Sequence, residues 1–218
     1  ARHHQCEQEL AIARSALASA RVDIVSSRVN ERRSRRLALQ DQLTTLPNRS
    51  FFSKWLDHAL AQAASLDHAM AVIYLDLDGF KSINDAHGHD VGDELLRIVA
   101  VRLARAVRAE DVVSRLGGDE FACLLTDLPG REPLAGLACK LVAAVAAPVK
   151  IGALELAVRP SIGIALSPAD GASADVLLRN ADAAMYQAKR QRSGYAFYDD
   201  RSGAHRAVGT SPHNGARA

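Results

Sequence analysis

The sequence predicts an α/β or α+β domain whose helices cover one sheet. Apolar runs of strand length alternate with amphipathic segments of helix length through the middle of the chain, and strands interleaved with such helices are typical of a sheet packed against helices. The chain has 218 residues, of which 48% are hydrophobic. A chain of this length and composition can form one domain with a substantial core and carry an extension.

The predicted elements run from residue 50 to residue 199 and are indicated by two different patterns. Uninterrupted apolar runs such as "MAVIYLDLD" indicate strands, whereas amphipathic periodicity indicates helices. In chain order we expect a helix over 50–64, a strand over 70–78, a helix over 91–107, strands over 112–116 and 121–125, a helix over 132–146, a strand pair within 154–166, a helix over 174–190 and a final strand in "GYAFYD".

Residues 5–40 are expected to form one long helix, because they contain no Gly or Pro and are rich in Ala, Arg, Glu and Leu. Leu10, Leu17 and Ile24 recur every seven residues, but the next position in that register is Glu31. The heptad pattern is therefore weak. It leaves two arrangements open, a coiled coil with a partner helix and a helix lying on its own domain.

The other end of the chain, "GAHRAVGTSPHNGARA", has few large apolar residues and many turn formers, which predicts disorder. The chain does not begin with Met, so we expect a piece of a larger protein, with room for an upstream sensor domain. The expected organisation is a helical stalk over residues 1–40, a globular domain over 41–200 and a disordered tail over 201–218.

The composition argues against several classes of protein. A net charge of +2 is too small for wholesale nucleic-acid binding, so no nucleic-acid partner is expected. Three cysteines without a close pair indicate neither a disulfide framework nor a zinc site. The apolar runs are shorter than the roughly 18 residues that a membrane span needs, and no secretory signal opens the chain. We therefore expect a cytoplasmic location, free or as part of a membrane-attached protein.

The stretch "SRLGGDEFACLL" predicts a hairpin that carries acidic residues at its tip. Gly117 and Gly118 separate two apolar, strand-like runs, and glycine tolerates the positive φ angles that tight turns demand. Asp119 and Glu120 then lie at the tip, exposed to solvent or to a cation. A polar turn without any function would show the same four residues. The hairpin alone therefore does not decide between a structural turn and a cation-binding turn.

A second acidic pair favours the functional interpretation. Asp76 and Asp78 end the apolar run "VIYLDLD", and strand ends beside hairpin tips commonly present ligands. Mg²⁺ binds to a few carboxylates together with substrate phosphates. Lys81, which follows shortly after, supplies a positive charge for phosphate. The two acidic pairs therefore lead to the hypothesis of a metal–nucleotide site.

The segment "NDAHGHDVGDE" supplies residues that can read a purine edge. Asn84 offers an amide and Asp93 a carboxylate, and guanine presents both a carbonyl acceptor and an N–H donor. An amide with a carboxylate therefore suits guanine.

Five motifs together resemble those of the GGDEF-domain diguanylate cyclase family. They are "LDLDGFKSIND", "GHDVGDELL", "RLGGDEF", "SIGIAL" and "NADAAMYQAK", in the family's order and spacing. The resemblance runs from "DQLTTLPNR" to "GYAFYD". It implies an α+β fold (an α/β two-layer arrangement), with a five-stranded, mainly antiparallel sheet surrounded by helices, as in the palm of polymerases and nucleotide cyclases. It also implies the condensation of two GTP molecules into cyclic di-GMP, with release of two pyrophosphates.

The resemblance assigns roles to named residues. The implied metal ligands are Asp76, Asp119, Glu120 and the carbonyl of Leu77. The implied catalytic residues are Asp119, Glu120 and Lys81. The implied substrate contacts are Asn84, Asp93, Phe80, Lys81, Lys189 and Arg192. The implied cofactor is Mg²⁺, with Mn²⁺ as a substitute, and two-metal phosphoryl transfer is the implied chemistry.

The resemblance further implies a homodimer and a second nucleotide site. Two GTP-loaded domains must face each other, so each monomer is expected to supply half of the active site. The tetrapeptide "RAED" matches the family's RxxD product-inhibition site, with Arg108 and Asp111 as cyclic di-GMP contacts. In an arbitrary protein such a pair is usually a surface ion pair.

The chain departs from the family pattern in two places. Thr45 stands where the family usually has Gly, and a β-branched residue fits a positive φ poorly, so this loop is expected to differ. The segment "AKRQRSGY" is one residue short, which places either Arg192 or Ser193 at the family's phosphate-contacting Arg. Both departures leave the metal carboxylates intact. A catalytically silent module that binds GTP or cyclic di-GMP and a dimerisation and signal-relay element are the alternative functions.

Overall fold

The structure is a computed structural model that describes most of the globular part of the chain. The described residues are 21, 23, 24, 26, 27, 38–66, 69–128 and 130–199. Residues 21, 23, 24, 26 and 27 are helical. Most of the predicted stalk over 1–40 and the predicted tail over 201–218 lie outside the described residues, so both stay predictions.

The described part alternates helices and strands, close to the predicted bounds. The helices are α1 (Arg49–Leu66), α2 (Phe80–His87), α3 (His89–Ala106), α4 (Arg131–Ala146) and α5 (Ala174–Gln191). The strands are β1 (Met70–Asp78), β2 (Val112–Gly117), β3 (Glu120–Leu125), β4 (Val149–Ile151), β5 (Leu154–Leu156), β6 (Arg159–Ser167) and β7 (Tyr195–Phe197).

A five-stranded sheet with the order β2-β3-β1-β6-β7 forms the centre of the domain. β1 pairs antiparallel with β3 and with β6, and β7 pairs parallel with β6. The expected five-stranded, mainly antiparallel sheet of an α+β fold is thus confirmed. β4 and β5 form a separate two-stranded ribbon.

Helices cover both faces of the sheet, so the sheet is the middle of three layers and not part of the two-layer arrangement that was expected. On one face Ile73 and Leu75 pack with apolar residues of α3 and α4. On the other face Val72 and Tyr74 pack with apolar residues of α1 and α5. Successive residues of β1 are buried because both faces are covered. Among the described helices, none has the length and apolar character needed to cross a bilayer.

Two local predictions are wrong. Residues 80–87 form the helix α2, which the sequence pattern did not predict because the segment is short and polar and Phe80 is its buried residue. The predicted strand pair within 154–166 does not form, since β5 pairs with β4 through a turn at Gly152 and β6 pairs with β1.

The close approach of α5 to β6 depends on Gly163. A Cβ atom there would lie 1.9 Å from the carbonyl oxygen of Ala181 and 2.1 Å from the amide nitrogen of Met185. Both contacts are with helix backbone, so a side chain at this position forces the helix away from the sheet. We expect Gly163→Ala to lower the free energy of unfolding by about 1–3 kcal/mol or more, measured by urea denaturation.

Gly136→Ala is the matched control for this substitution. Gly136 is exposed in α4, and a Cβ atom there would meet no atom within 4 Å. The control is expected to stabilise the domain by about 0.5–1 kcal/mol, because alanine favours the helix. Equal stability of the Gly163→Ala variant and the parent would contradict the packing described here.

Candidate active site

The β2–β3 hairpin ends in a two-residue turn formed by Gly118 and Asp119. Gly117 pairs with Glu120 across the turn, so the predicted hairpin forms, but Glu120 begins β3 and only Asp119 of the acidic pair lies in the turn. Gly117 and Gly118 have φ values of 144° and 54°, a region that favours glycine. Added Cβ atoms would meet no atom within 4 Å. The glycines are therefore needed for the backbone conformation, and Asp119 projects from the tip.

The pairing of β1 with β3 brings the two acidic pairs side by side. Asp76 lies opposite Glu120 in the antiparallel register. Burial and the negative charge of Asp76 raise the pKa of Asp119 above its ordinary value. Asp78 ends β1, and its carboxylate accepts hydrogen bonds from Ser161 Oγ at 3.0 Å. Leu77 lies between the two aspartates with a fully buried side chain.

Lys189, near the end of α5, brings a positive charge to these carboxylates. Its Nζ donates to Asp76 Oδ1 at 2.5 Å and lies 3.6 Å from Asp78 Oδ1. Burial acts to lower the pKa of Lys189, but the hydrogen bond to Asp76 and the charges of Asp76, Asp78 and Asp119 outweigh it and raise the pKa above its ordinary value. The ammonium group therefore stays protonated and offsets the acidic cluster.

The donor set fits a divalent cation that is bound together with phosphate. Within the ranges that the structure describes, no group of three or more His, Cys, Asp or Glu residues could hold a metal ion alone. Mg²⁺ commonly takes one or two carboxylates and completes its shell with water and substrate phosphate. Asp76 repels the charge of Asp119 and already attracts the ammonium group of Lys189. A cation between the two carboxylates would relieve that repulsion.

The predicted guanine readers come together at the junction of α2 and α3. Asn84 lies on α2 and Asp93 on α3, and Gly88 separates the two helices with φ 87°. The Oδ1 atom of Asn84 is buried and has no hydrogen-bond partner. Gly92 makes room for it, since a Cβ atom there would lie 1.8 Å from that oxygen. The structure therefore holds an unsatisfied acceptor close to Asp93.

The predicted phosphate contacts occupy helix ends. Phe80 begins α2 directly after Gly79 and is buried, while Lys81 is exposed in the first turn. Helix N-termini favour phosphate through their free N–H groups and dipole. Arg192 is the C-cap of α5 and has φ 54°. The position of Lys81 therefore favours phosphate binding, whereas Arg192, at a helix C-terminus, offers only the charge of its side chain. The roles of these residues stay predictions.

Thr45 adopts the backbone conformation that its side chain disfavours. Its φ is 60°, and its amide donates to Asp41 O at 2.9 Å. Thr45 thus has a positive φ despite its β-branched side chain, and the expectation that this loop differs from the family stays a prediction. The surrounding hydrogen bonds hold the threonine in the left-handed region.

Arg108 and Asp111 form a separate region at the other end of β2. The amide of Arg108 donates to Asp111 Oδ2 at 2.9 Å, and both residues line two neighbouring cavities of about 160 and 310 Å³. Burial, together with the charge of Glu110, raises the pKa of Asp111. β2 is six residues long, so this region lies about 20 Å from the acidic turn. The structure does not bring the two regions together.

Sequence reasoning missed three residues that contact the site or interact with its charges. Arg49 Nη2 donates to Glu120 Oε2 at 3.1 Å. Burial and the charge of Glu120 raise the pKa of Tyr74 to about 12. Burial and the charge of Asp76 raise the pKa of Asp182, which lies on α5. The motif "LPNR" was the one available signal for Arg49.

Comparisons with known proteins agree on one family. The family model "Diguanylate cyclase, GGDEF domain" matches residues 38–194. The bifunctional diguanylate cyclase/cyclic di-GMP phosphodiesterase MucR of Pseudomonas aeruginosa is 50% identical over 75% of this chain and 24% of its own length. The diguanylate cyclase TpbB of the same species is 42% identical over 72% of this chain and 36% of its own length. The chain thus spans about a quarter to a third of these relatives.

Solved structures show the same fold. The GGDEF domain of TpbB is 39% identical and superposes with a TM-score of 0.73. The match covers 76% of this chain and 98% of the other. The coiled coil and GGDEF domain of DgcB from Caulobacter crescentus, in complex with c-di-GMP, is 28% identical. It superposes with a TM-score of 0.76, and the match covers 84% of this chain and 97% of the other.

Asp119→Asn is expected to raise the unfolding temperature of the metal-free protein at pH 7. The pKa of Asp119 lies above its ordinary 3.8 in the folded state, so the ionised carboxylate opposes folding, and wild-type stability falls as the pH rises through that range. The rise in unfolding temperature of the variant over the wild type should shrink as the pH is lowered toward 4, because wild-type Asp119 is then increasingly protonated. Thermal unfolding between pH 4 and 7 measures the difference.

Asp57→Asn serves as the control, since Asp57 is exposed on α1. It should leave the unfolding temperature nearly unchanged. If Asp119→Asn lowered the unfolding temperature at every pH, the ionised Asp119 would stabilise the fold and the expected result would be refuted.

Proposed function

The chain belongs to the GGDEF domain family, and on that premise we propose that it is a diguanylate cyclase that condenses two GTP molecules into cyclic di-GMP and two pyrophosphates. The observation that carries the proposal is the meeting of Asp76, Asp119 and Lys189 at one end of the central sheet. The ion pair of Lys189 with Asp76, and the charge interaction of both residues with Asp119, suit a metal–phosphate substrate.

Asp76, Asp119 and the carbonyl of Leu77 would hold Mg²⁺, or Mn²⁺ in its place, with Glu120 beside them. When bound, the cation supplies the charge that lowers the pKa of a ribose 3′-hydroxyl and offsets charge on the α-phosphate and the leaving pyrophosphate. Glu120 either assists the cation site or accepts the 3′-hydroxyl proton.

Basic residues and a helix end orient the triphosphate. Lys81 stands in the first turn of α2, directly after the acidic end of β1, where its charge and the helix N-terminus attract phosphate. Lys189, which pairs with Asp76, would contact the phosphates if Asp76 held the cation. Arg192, three residues beyond Lys189, adds a further positive charge at the end of α5.

Asn84 and Asp93 select guanine. The side-chain amide of Asn84 offers a donor for the guanine carbonyl. Asp93 accepts from the N–H edge of the base. Adenine lacks this arrangement of donors and acceptors, so GTP is the preferred nucleotide.

The reaction requires two copies of the domain. Each copy holds one GTP, and the two must face each other so that each 3′-hydroxyl reaches the partner's α-phosphate. We infer a homodimer in the cytoplasm as the active form. Cyclic di-GMP bound at Arg108 and Asp111, about 20 Å from the turn, inhibits the reaction by holding the domains in an unproductive arrangement.

A catalytically silent binding module is the second candidate. Cyclic di-GMP phosphodiesterase PdeR of Escherichia coli is 39% identical over 79% of this chain and 26% of its own length. A similar domain thus occurs in a protein named for the opposite reaction. In such a role the site binds GTP or cyclic di-GMP without turnover.

Purified chain that has been stripped of nucleotide is expected to convert GTP and Mg²⁺ into cyclic di-GMP, identified by mass after ion-exchange separation. Asp76→Ala removes a proposed cation ligand and should reduce turnover at least 100-fold. Asp57→Ala, which removes an exposed carboxylate from α1, should retain full activity. Absence of product from the parent chain, even at high protein concentration, would favour the silent binding module.

Gly92→Ala is expected to weaken GTP binding about tenfold. The added methyl group displaces Asn84, whose Oδ1 would lie 1.8 Å from the new Cβ, and the lost base contacts are worth about 1–2 kcal/mol. Titration calorimetry with a non-hydrolysable GTP analogue measures the change, with Gly136→Ala as the control. Unchanged affinity would show that Asn84 does not contact the base.

A further inference from the structure

The guanidinium group of Arg115 bridges the acidic turn and the segment that leads into α1. Its Nε and Nη2 donate to Gly118 O at 2.9 and 2.6 Å. Its Nη1 donates to both carboxylate oxygens of Asp41 at 2.9 and 3.1 Å. The Arg115 side chain is 11% exposed and that of Asp41 is 21% exposed, so water competes weakly for the charge-assisted bonds between Arg115 and Asp41.

The turn needs such an external restraint. Gly117 and Gly118 are conformationally permissive, no atom lies within 4 Å of a Cβ position at either residue, and the β2–β3 register shifts between Arg115 and Gly117. The carbonyl of Gly118 belongs to the peptide bond that precedes Asp119. Two hydrogen bonds to that carbonyl therefore fix the orientation of the peptide from which Asp119 projects.

Asp41 is itself held in place. Its Oδ1 accepts hydrogen bonds from Thr44 N at 2.8 Å and Thr44 Oγ1 at 2.7 Å. The backbone of the same segment is joined to β2, since the amide of Arg115 donates to Pro47 O at 2.9 Å. The ion pair thus connects the turn to an ordered segment.

A second arginine restrains the other side of the turn. Arg49 Nε donates to Leu116 O at 3.1 Å and its Nη2 donates to Glu120 Oε2 at 3.1 Å. Asp119 therefore lies between two restrained positions, Gly118 before it and Glu120 after it.

We propose that Arg115 is a positioning residue for the reaction, and that Asp41 holds its guanidinium group against the Gly118 carbonyl so that Asp119 is presented in the productive orientation. This inference rests on the proposed cyclase function. Because neither residue reads guanine in that function, loss of the pair lowers kcat and leaves KM for GTP nearly unchanged.

Asp41→Asn and Arg115→Lys test the inference in the full chain. Asp41→Asn breaks the ion pair with little change in shape, and Arg115→Lys keeps a charge but loses the planar fork. Both variants should lower kcat about 10- to 100-fold, with KM for GTP within about threefold of the parent value. Hydrogen exchange by mass spectrometry should show faster exchange over residues 117–120 in the metal-free variants.

Arg97→Gln is the matched control, since it removes an exposed ion pair to Glu94 at 2.8 Å on α3. It should change neither kcat nor exchange at the turn. Parental kcat in both variants, a rise in KM at constant kcat, or parental exchange at the turn would overturn the inference.

The exchange measurement separates this inference from the proposed function. If the parent chain forms no cyclic di-GMP, the proposed function fails, while faster exchange over residues 117–120 still supports the restraint and parental exchange still overturns it. If thermal unfolding shows that Asp41→Asn does not fold, Arg115→Lys decides the question by the same two measurements.

Discussion

The antiparallel pairing of β1 with β3 is the constraint on which the rest of the site depends. It sets Asp76 opposite Glu120 and thereby puts the acidic end of β1 beside the glycine turn. A slip of one residue would turn the core side chains of a strand to the opposite face, which helices also cover. Because the two faces of β1 pack with different helices, the side chains that fit each face set its register, and the hydrophobic core of the domain determines where the carboxylates meet.

The site contains unfavourable electrostatics that the surrounding fold supports. Asp119 is partly buried beside Asp76, and Asp182 also approaches Asp76. Lys189 offsets part of this repulsion through its ion pair. Groups whose pKa values are shifted by burial and by a specific neighbour cluster at functional sites. The proposed cation would relieve the repulsion between these carboxylates. The repulsion in the metal-free state therefore favours cation binding.

Glycines serve three different purposes around this site. Gly118 permits a backbone conformation that other residues disfavour, Gly163 lets α5 approach the sheet, and Gly92 leaves space for the Asn84 side chain. The freedom of the turn is then limited from outside by Arg115 and Arg49. A permissive backbone with specific restraints gives a turn that is accessible to substrate and still well oriented.

The sequence by itself determined the elements whose signals are local. The apolar run of β1, the glycine hairpin and the motifs of α5 were predicted because periodicity and turn chemistry depend on neighbouring residues. The short polar α2 and the pairing of β5 with β4 were missed, because the local sequence signals for these elements are weak. Only the tertiary structure decided that Lys189 contacts Asp76, 113 residues away, and that Arg115 joins Asp41 to the turn. Such contacts depend on strand order and helix packing, which bring together residues that no local pattern relates.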